Sequence, residues 1–151
     1  MAGQASGLAP EVLLAWGRDV LAAQPFSQLV GAQLAAFTPE HSELHLPVTP
    51  QLRQQNGFVH GGVLSYLADN TLTYAGGAAL RVPVVTSEFK INYLRPAVGE
   101  LLIARAQAVH QGRAQAVCRC EVFVRQGVEE KLCAIAQGTI VALPPARDGA
   151  D

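Results

Sequence analysis

Asn56-Gly57-Phe58-Val59-His60-Gly61-Gly62-Val63-Leu64-Ser65-Tyr66-Leu67-Ala68-Asp69-Asn70 is the stretch whose reading decides the fold. A polar, glycine-containing loop runs into a double glycine. An apolar run then repeats at three- and four-residue spacing through Val63, Leu64, Leu67, Ala68, Leu72, Ala75 and Ala79. That period predicts a helix from Gly62 to about Leu80, with its buried side supplied by those residues. The first N–H groups of a helix have no intrahelical partner and sit at the positive end of its dipole, so the loop-to-helix junction suits an oxyanion. Asp69 is the acid within this run. A carboxylate on an apolar helix is either functional or held by a structural partner.

Outward from this segment the chain reads as one domain over residues 10–143, flanked by a flexible N-terminus (1–9) and a flexible tail (144–151). Pro10, Glu11 and the apolar positions Leu13, Leu14, Val20 and Leu21 predict a short N-terminal helix to about Ala23, which Pro25 ends. Residues 25–31 form a helical turn or a loop closing on Gly31. Strand-like alternation covers Ala32–Phe37 and Ser42–Val48, with a turn at Thr38–His41 between them. After a polar loop and the long helix come Val84–Leu94, Leu101–Val109, Ala114–Arg125 and Lys131–Leu143, separated by short links with turn chemistry. Two strands, one long helix and a run of antiparallel strands make an α+β order. The sheet should wrap one face around the helix. Its other face then needs cover, from the N-terminal helix or from association of subunits.

Only 15% of the 151 residues are charged, and the net charge is −1 with no basic run. That composition excludes a nucleic-acid or anionic-membrane partner and favours an oligomer. The apolar patch Val12–Trp16 is too short for a signal or a spanning segment. Cys118, Cys120 and Cys133 are an odd set in apolar runs, read as free core thiols of a cytoplasmic protein. His41, Glu43 and His45 share one strand face. Strand spacing would allow a metal there, but a solvated face explains them equally, and no metal is expected.

His60-Gly61-Gly62, Leu67-Ala68-Asp69 and Phe89-Lys90-Ile91-Asn92-Tyr93-Leu94-Arg95-Pro96 together resemble the hotdog-fold acyl-CoA thioesterases, over roughly residues 30–143. The nearest groups are the phenylacetate-degradation thioesterases and the Arthrobacter-type 4-hydroxybenzoyl-CoA thioesterases. The resemblance implies an antiparallel sheet around a central helix and hydrolysis of acyl-CoA to acid and CoA without a cofactor. It also implies a homodimer as the minimal active unit, assembled as a homotetramer. In that pattern Asp69 is the catalytic carboxylate, the Gly61 N–H polarises the thioester carbonyl and His60 holds the loop in shape. Gln54 and Thr73 match polar positions of the Arthrobacter type, whereas an Asp at position 69 matches the other branch. Asn56, Gly62, Thr86 and Ser87 become candidate substrate contacts, and Arg95 and Arg113 candidates for the CoA phosphates.

The chemistry fits those roles. A thiolate leaves readily, so a thioesterase needs an activated water or a nucleophile, and an oxyanion donor. Asp69 can be general base or nucleophile, and burial would have to raise its pKa for the former. It lies about eight residues beyond Gly61, roughly 12 Å along a helix, so one carbonyl cannot touch both on one chain. Two helices packed antiparallel about a two-fold axis would bring Asp69 of one to Gly61 of the other. Phe58, Tyr66, Tyr74, Phe89 and Tyr93 could line an aryl pocket or simply pack the core, leaving aryl and medium-chain acyl groups both open. The rivals are a non-catalytic acyl-CoA-binding module and an enoyl-thioester hydratase. The hydratase signature Asp-x-Asn-Pro-x-His has only its proline and histidine here, in Ala36–His41.

Overall fold

The computed structural model describes residues 7–145. Residues 1–6 of the expected flexible N-terminus, and 146–151 of the expected tail, lie outside the described residues. Helix α1 (Pro10–Ala22) opens with proline at its start and Glu11 in its first turn, facing the positive end of the dipole. Helix α2 (Pro25–Val30) is a short turn ended by Gly31. Strands β1 (Gln33–Phe37) and β2 (Ser42–Pro47) follow, then a 3-10 turn at Pro50–Leu52 and the long helix α3 (Gly61–Leu80). Strands β3 (Val84–Tyr93), β4 (Leu101–Gln111), β5 (Gln115–Gln126) and β6 (Glu129–Ala142) complete the chain. Gly127, at φ +61°, provides the positive-φ backbone that the two-residue β5–β6 turn demands.

The six strands form one antiparallel sheet in the order β1-β2-β4-β5-β6-β3. Helix α3 crosses one face, and β3 adds at the far edge against β6, so β1 and β3 are the two free edges. The core lies between α3 and the sheet. Leu64, Leu67 and Leu72 bury against Leu44, Leu46, Leu102, Val122 and Ile140, each such side chain contributing about 1.5–3 kcal/mol relative to exposure. The helix comes so close to β6 that a Cβ on Gly76 would stand 2.4 Å from Ile140 Cβ.

Helix α1 does not cover the outer face of the sheet. It lies beside α3 on the inner face, where Gly17 meets Leu34 and Phe37 and its carbonyl accepts from Tyr74 Oη at 2.8 Å. The outer face is instead overlaid by ionic side chains. Arg105 reaches Glu43 at 2.9 Å and Glu130 at 2.9 Å, and its guanidinium stacks 5.0 Å over the Phe123 ring. Burial alone would raise the Glu43 pKa, but hydrogen bonds from His45 and Arg105 hold it below its ordinary value. His41, Glu43 and His45 therefore form part of this network, and among the described residues no three such side chains converge as metal ligands. No helix among the described residues is long and apolar enough to cross a membrane.

The close helix–sheet approach has a direct consequence for stability. Gly76→Ala should lower it by about 1–3 kcal/mol through overpacking. Gly77→Ala, whose Cβ would meet Val84 at an ordinary 3.4 Å, should raise it by up to about 1 kcal/mol through helix propensity. Urea denaturation of the two variants checks both signs.

Candidate active site

Two polar stations lie along α3. The first is its start. The loop before it is pinned on both sides, by His60 N donating to the Leu52 carbonyl at 2.8 Å and Val59 N to the Ala97 carbonyl at 3.0 Å. The His60 side chain is the helix cap, its Nδ1 accepting from Gly62 N at 2.9 Å. That bond takes the Gly62 donor, while Val63 and Leu64 donate to the His60 carbonyl. The Gly61 N–H is left with no acceptor among the described residues. Gln54 Oε1 accepts from Asn56 N, so both residues shape the turn before His60. Tyr93 Oη donates to the Gly61 carbonyl at 3.1 Å, and its ring lies against the Gly61 Cα.

The second station is the half-buried Asp69, two turns further along. Thr86 Oγ1 donates to Asp69 Oδ1 at 2.6 Å. Thr73 Oγ1 lies 3.0 Å from Thr86 Oγ1 and 2.9 Å from the Asp69 carbonyl it donates to. One carboxylate oxygen is thus oriented by a hydroxyl, and the other has no partner among the described residues. This resolves the question that an acid on an apolar helix poses, since Asp69 has a fixed rotamer and a free oxygen.

Strand β3 serves both stations because of a bulge. Thr86 pairs with Ile140 and Glu88 with Thr139, leaving Ser87 as an extra residue. Thr86 and Tyr93 are seven positions apart, so plain alternation would turn them to opposite faces. The bulge restores both to the α3 side, along with Phe89 and Ile91. Ser87 itself is exposed on the edge strand, with Oγ 3.4 Å from the Thr139 carbonyl.

The fold therefore gathers Gln54, Asn56, His60, Gly61 and Gly62 at one station, and Asp69, Thr73 and Thr86 at the other. It separates Arg95 from Arg113. They flank opposite ends of β3, roughly 26 Å apart at the rise of a strand, and both are exposed. Four of the five aromatics go to separate places. Tyr66 packs edge-on to Phe26, Tyr74 is buried against α1 and Phe37, Phe89 lies over Gly138, and Tyr93 meets Gly61. Sequence reasoning placed Thr86 in a substrate pocket; its contact with Asp69 depends on the bulge and was not visible. Tyr93 was missed as a support for Gly61, although its place in the motif Asn92-Tyr93-Leu94-Arg95-Pro96 was visible.

No cysteine competes for the nucleophile's role. Cys118, Cys120 and Cys133 are buried in the sheet and unpaired. Burial pushes their pKa values up to about 11, 12 and 11, so all three stay as thiols at neutral pH. Thiol titration at pH 8 should modify none of the three in the folded protein and all three after denaturation.

Residues 56–131 match the family model described as the thioesterase superfamily. The chain is similar to the acyl-coenzyme A thioesterase PaaI of Escherichia coli, 29% identical over 113 residues, which are 74% of this chain and 78% of PaaI. The solved structure of E. coli PaaI superposes with a TM-score of 0.75 at 25% identity, covering 86% of this chain and 94% of that one. A thioesterase family protein from Silicibacter pomeroyi superposes with a TM-score of 0.77 at 35% identity, covering 83% and 94%.

Proposed function

The chain belongs to the thioesterase superfamily, and we propose that it hydrolyses acyl-CoA thioesters in the cytoplasm, at sites shared between two subunits. The observation that carries this reading is the pair of stations on α3. One is a helix-start N–H with no partner among the described residues, and the other is a carboxylate with one oxygen tied to Thr86 and the other without a partner among them. The Gly61 N–H stabilises the oxyanion that develops on the thioester carbonyl, helped by the helix dipole. Asp69 either takes a proton from an attacking water or attacks the carbonyl carbon itself. In both cases the C–S bond breaks and CoA leaves as a thiolate that is protonated by solvent; in the second, water then hydrolyses the Asp69–acyl anhydride, releasing the acid and restoring the carboxylate. His60 and Gln54 keep the loop in shape, and Thr73 and Thr86 keep the carboxylate in place. Asn56, Gly62 and Ser87 face the bound thioester, and Arg95 and Arg113 meet the CoA phosphates from different subunits.

Strand β3 supports the sharing. It is a ten-residue edge with one side unpaired, a ready seam for a second copy. Thr86 marks the level of Asp69 and Tyr93 the level of Gly61. Antiparallel pairing of two β3 strands about a two-fold axis near Phe89 and Lys90 sets Thr86 of one subunit opposite the partner's Tyr93. Asp69 then comes level with the partner's Gly61, closing the roughly 12 Å between the stations of one chain. Exposed Phe26 and Leu29 on α2 give such dimers apolar surface on which to pair as tetramers, and light scattering should return four times the chain mass of 16.0 kDa.

The test is thiol release from a panel of CoA thioesters. Asp69→Ala should lower kcat/KM by about 10³-fold or more with the fold intact. Gly61→Pro removes the free N–H, at a first helical position where proline is tolerated, and should cost at least about 10²–10³-fold. Mixing the two inactive variants and exchanging subunits should restore about a quarter of wild-type activity, because half the dimers then hold one intact site. Turnover that survives Asp69→Ala would remove Asp69 from the chemistry. Binding of CoA thioesters without turnover by the wild type would favour the non-catalytic module.

A further inference from the structure

A groove of about 580 Å³ runs between α1 and the second half of α3, within the range of small-molecule sites. Thr73, Asn70 and Gln24 stand at one end, and Leu8, Val12 and Arg81 at the other. The two helices are antiparallel here, since Asn70 bonds Gln24 and Tyr74 bonds the Gly17 carbonyl. The groove therefore begins beside the Thr73–Thr86–Asp69 cluster and leads away from it. Its α1 wall is the stripe Leu8, Val12, Trp16 and Val20, spaced four residues apart and 37–48% exposed. Four large apolar side chains at i+4 spacing, turned to a groove and not to the core, require an apolar occupant.

We infer that this groove holds the acyl chain, and that the substrates are saturated, medium-chain acyl thioesters. The inference rests on the reading of Asp69 as the reacting carboxylate and names what that site takes. Two observations select an extended alkyl chain over a single ring. The wall is apolar along its length, with Trp16, Phe37, Tyr74, Ala78, Val82 and Val84 extending the α1 stripe. The groove is also long. From Thr73 to Arg81 it extends roughly 12 Å along α3, which about nine or ten carbons span at the ~1.3 Å advance of a staggered chain. Acyl groups of about eight to twelve carbons fill it, and α1 acts as the ruler that selects them.

The experiment measures kcat/KM for butyryl-, hexanoyl-, decanoyl-, palmitoyl- and benzoyl-CoA. Wild type should rise by up to roughly fourfold per added methylene, with its maximum at decanoyl. Ala78→Phe narrows the groove from α3, and Val12→Glu puts a charge on the exposed α1 wall. Each should lower the decanoyl-to-butyryl ratio at least tenfold, and Val12→Glu, at a surface position, covers the case in which Ala78→Phe fails to fold. Preference for benzoyl over decanoyl, or an unchanged ratio in a folded variant, overturns the groove and leaves the thioesterase reading standing. If wild type hydrolyses no thioester, calorimetry with decyl-CoA thioether decides independently. Binding weakened at least tenfold by Val12→Glu supports the groove while the hydrolase reading falls, and equal binding overturns the groove as well.

Discussion

The packing of α3 against the sheet is the constraint from which everything else follows. Gly76 leaves no space between the helix backbone and Ile140, and Leu64, Leu67 and Leu72 fill the layer on either side. A helix held this tightly cannot rotate, so the residues on its flank are fixed relative to β3. Asp69 meets Thr86, and Gly61 meets Tyr93. A site built on a rigid helix and a bulged strand is better defined than one built on loops, because its side chains inherit the precision of the core.

That same rigidity separates the two groups that thioester chemistry needs together. The helix offers its free N–H at its first turn and its carboxylate two turns later, and no side-chain motion brings them to one carbonyl. The edge strand that orients each group is also an unpaired seam, and its midpoint is the midpoint between the two stations. For the shared site proposed above, dimerisation and catalysis become one geometric requirement. The apolar groove adds a third element, since it starts beside Thr73, one turn from Asp69, and is walled by the exposed side of α1, whose other side packs on β1.

Much of this was legible in the sequence. The 3.6-residue period of Val63 to Ala79 and the two-residue period of the strands located every main element to within about two residues, and His60-Gly61-Gly62 with Asp69 located both stations. What stayed hidden depends on pairing in three dimensions. The extra residue at Ser87 changes which side chains of β3 face α3, and nothing local in Val85-Thr86-Ser87-Glu88 announces it, because a bulge is defined by the partner strand. Thr86 was consequently assigned to substrate and not to Asp69. The side of the sheet on which α1 packs was equally unreadable, since the apolar positions Leu13, Leu14, Val20 and Leu21 are consistent with covering either face. The outer face was expected to need a subunit or a helix; α1 packs on the other face, and the Arg105–Glu43–Glu130 network lies on this one.

The central claim is that one thioester is held by two chains. A crystal structure with a non-hydrolysable decyl-CoA thioether ketone, which keeps the carbonyl, tests it most directly. The account predicts the carbonyl oxygen about 3 Å from the Gly61 N–H of one subunit, the carbonyl carbon facing the Asp69 carboxylate of the other, and the alkyl chain between α1 and α3 of the Asp69 subunit. A carbonyl bound with Gly61 and Asp69 of the same chain, or bound away from both, would contradict it.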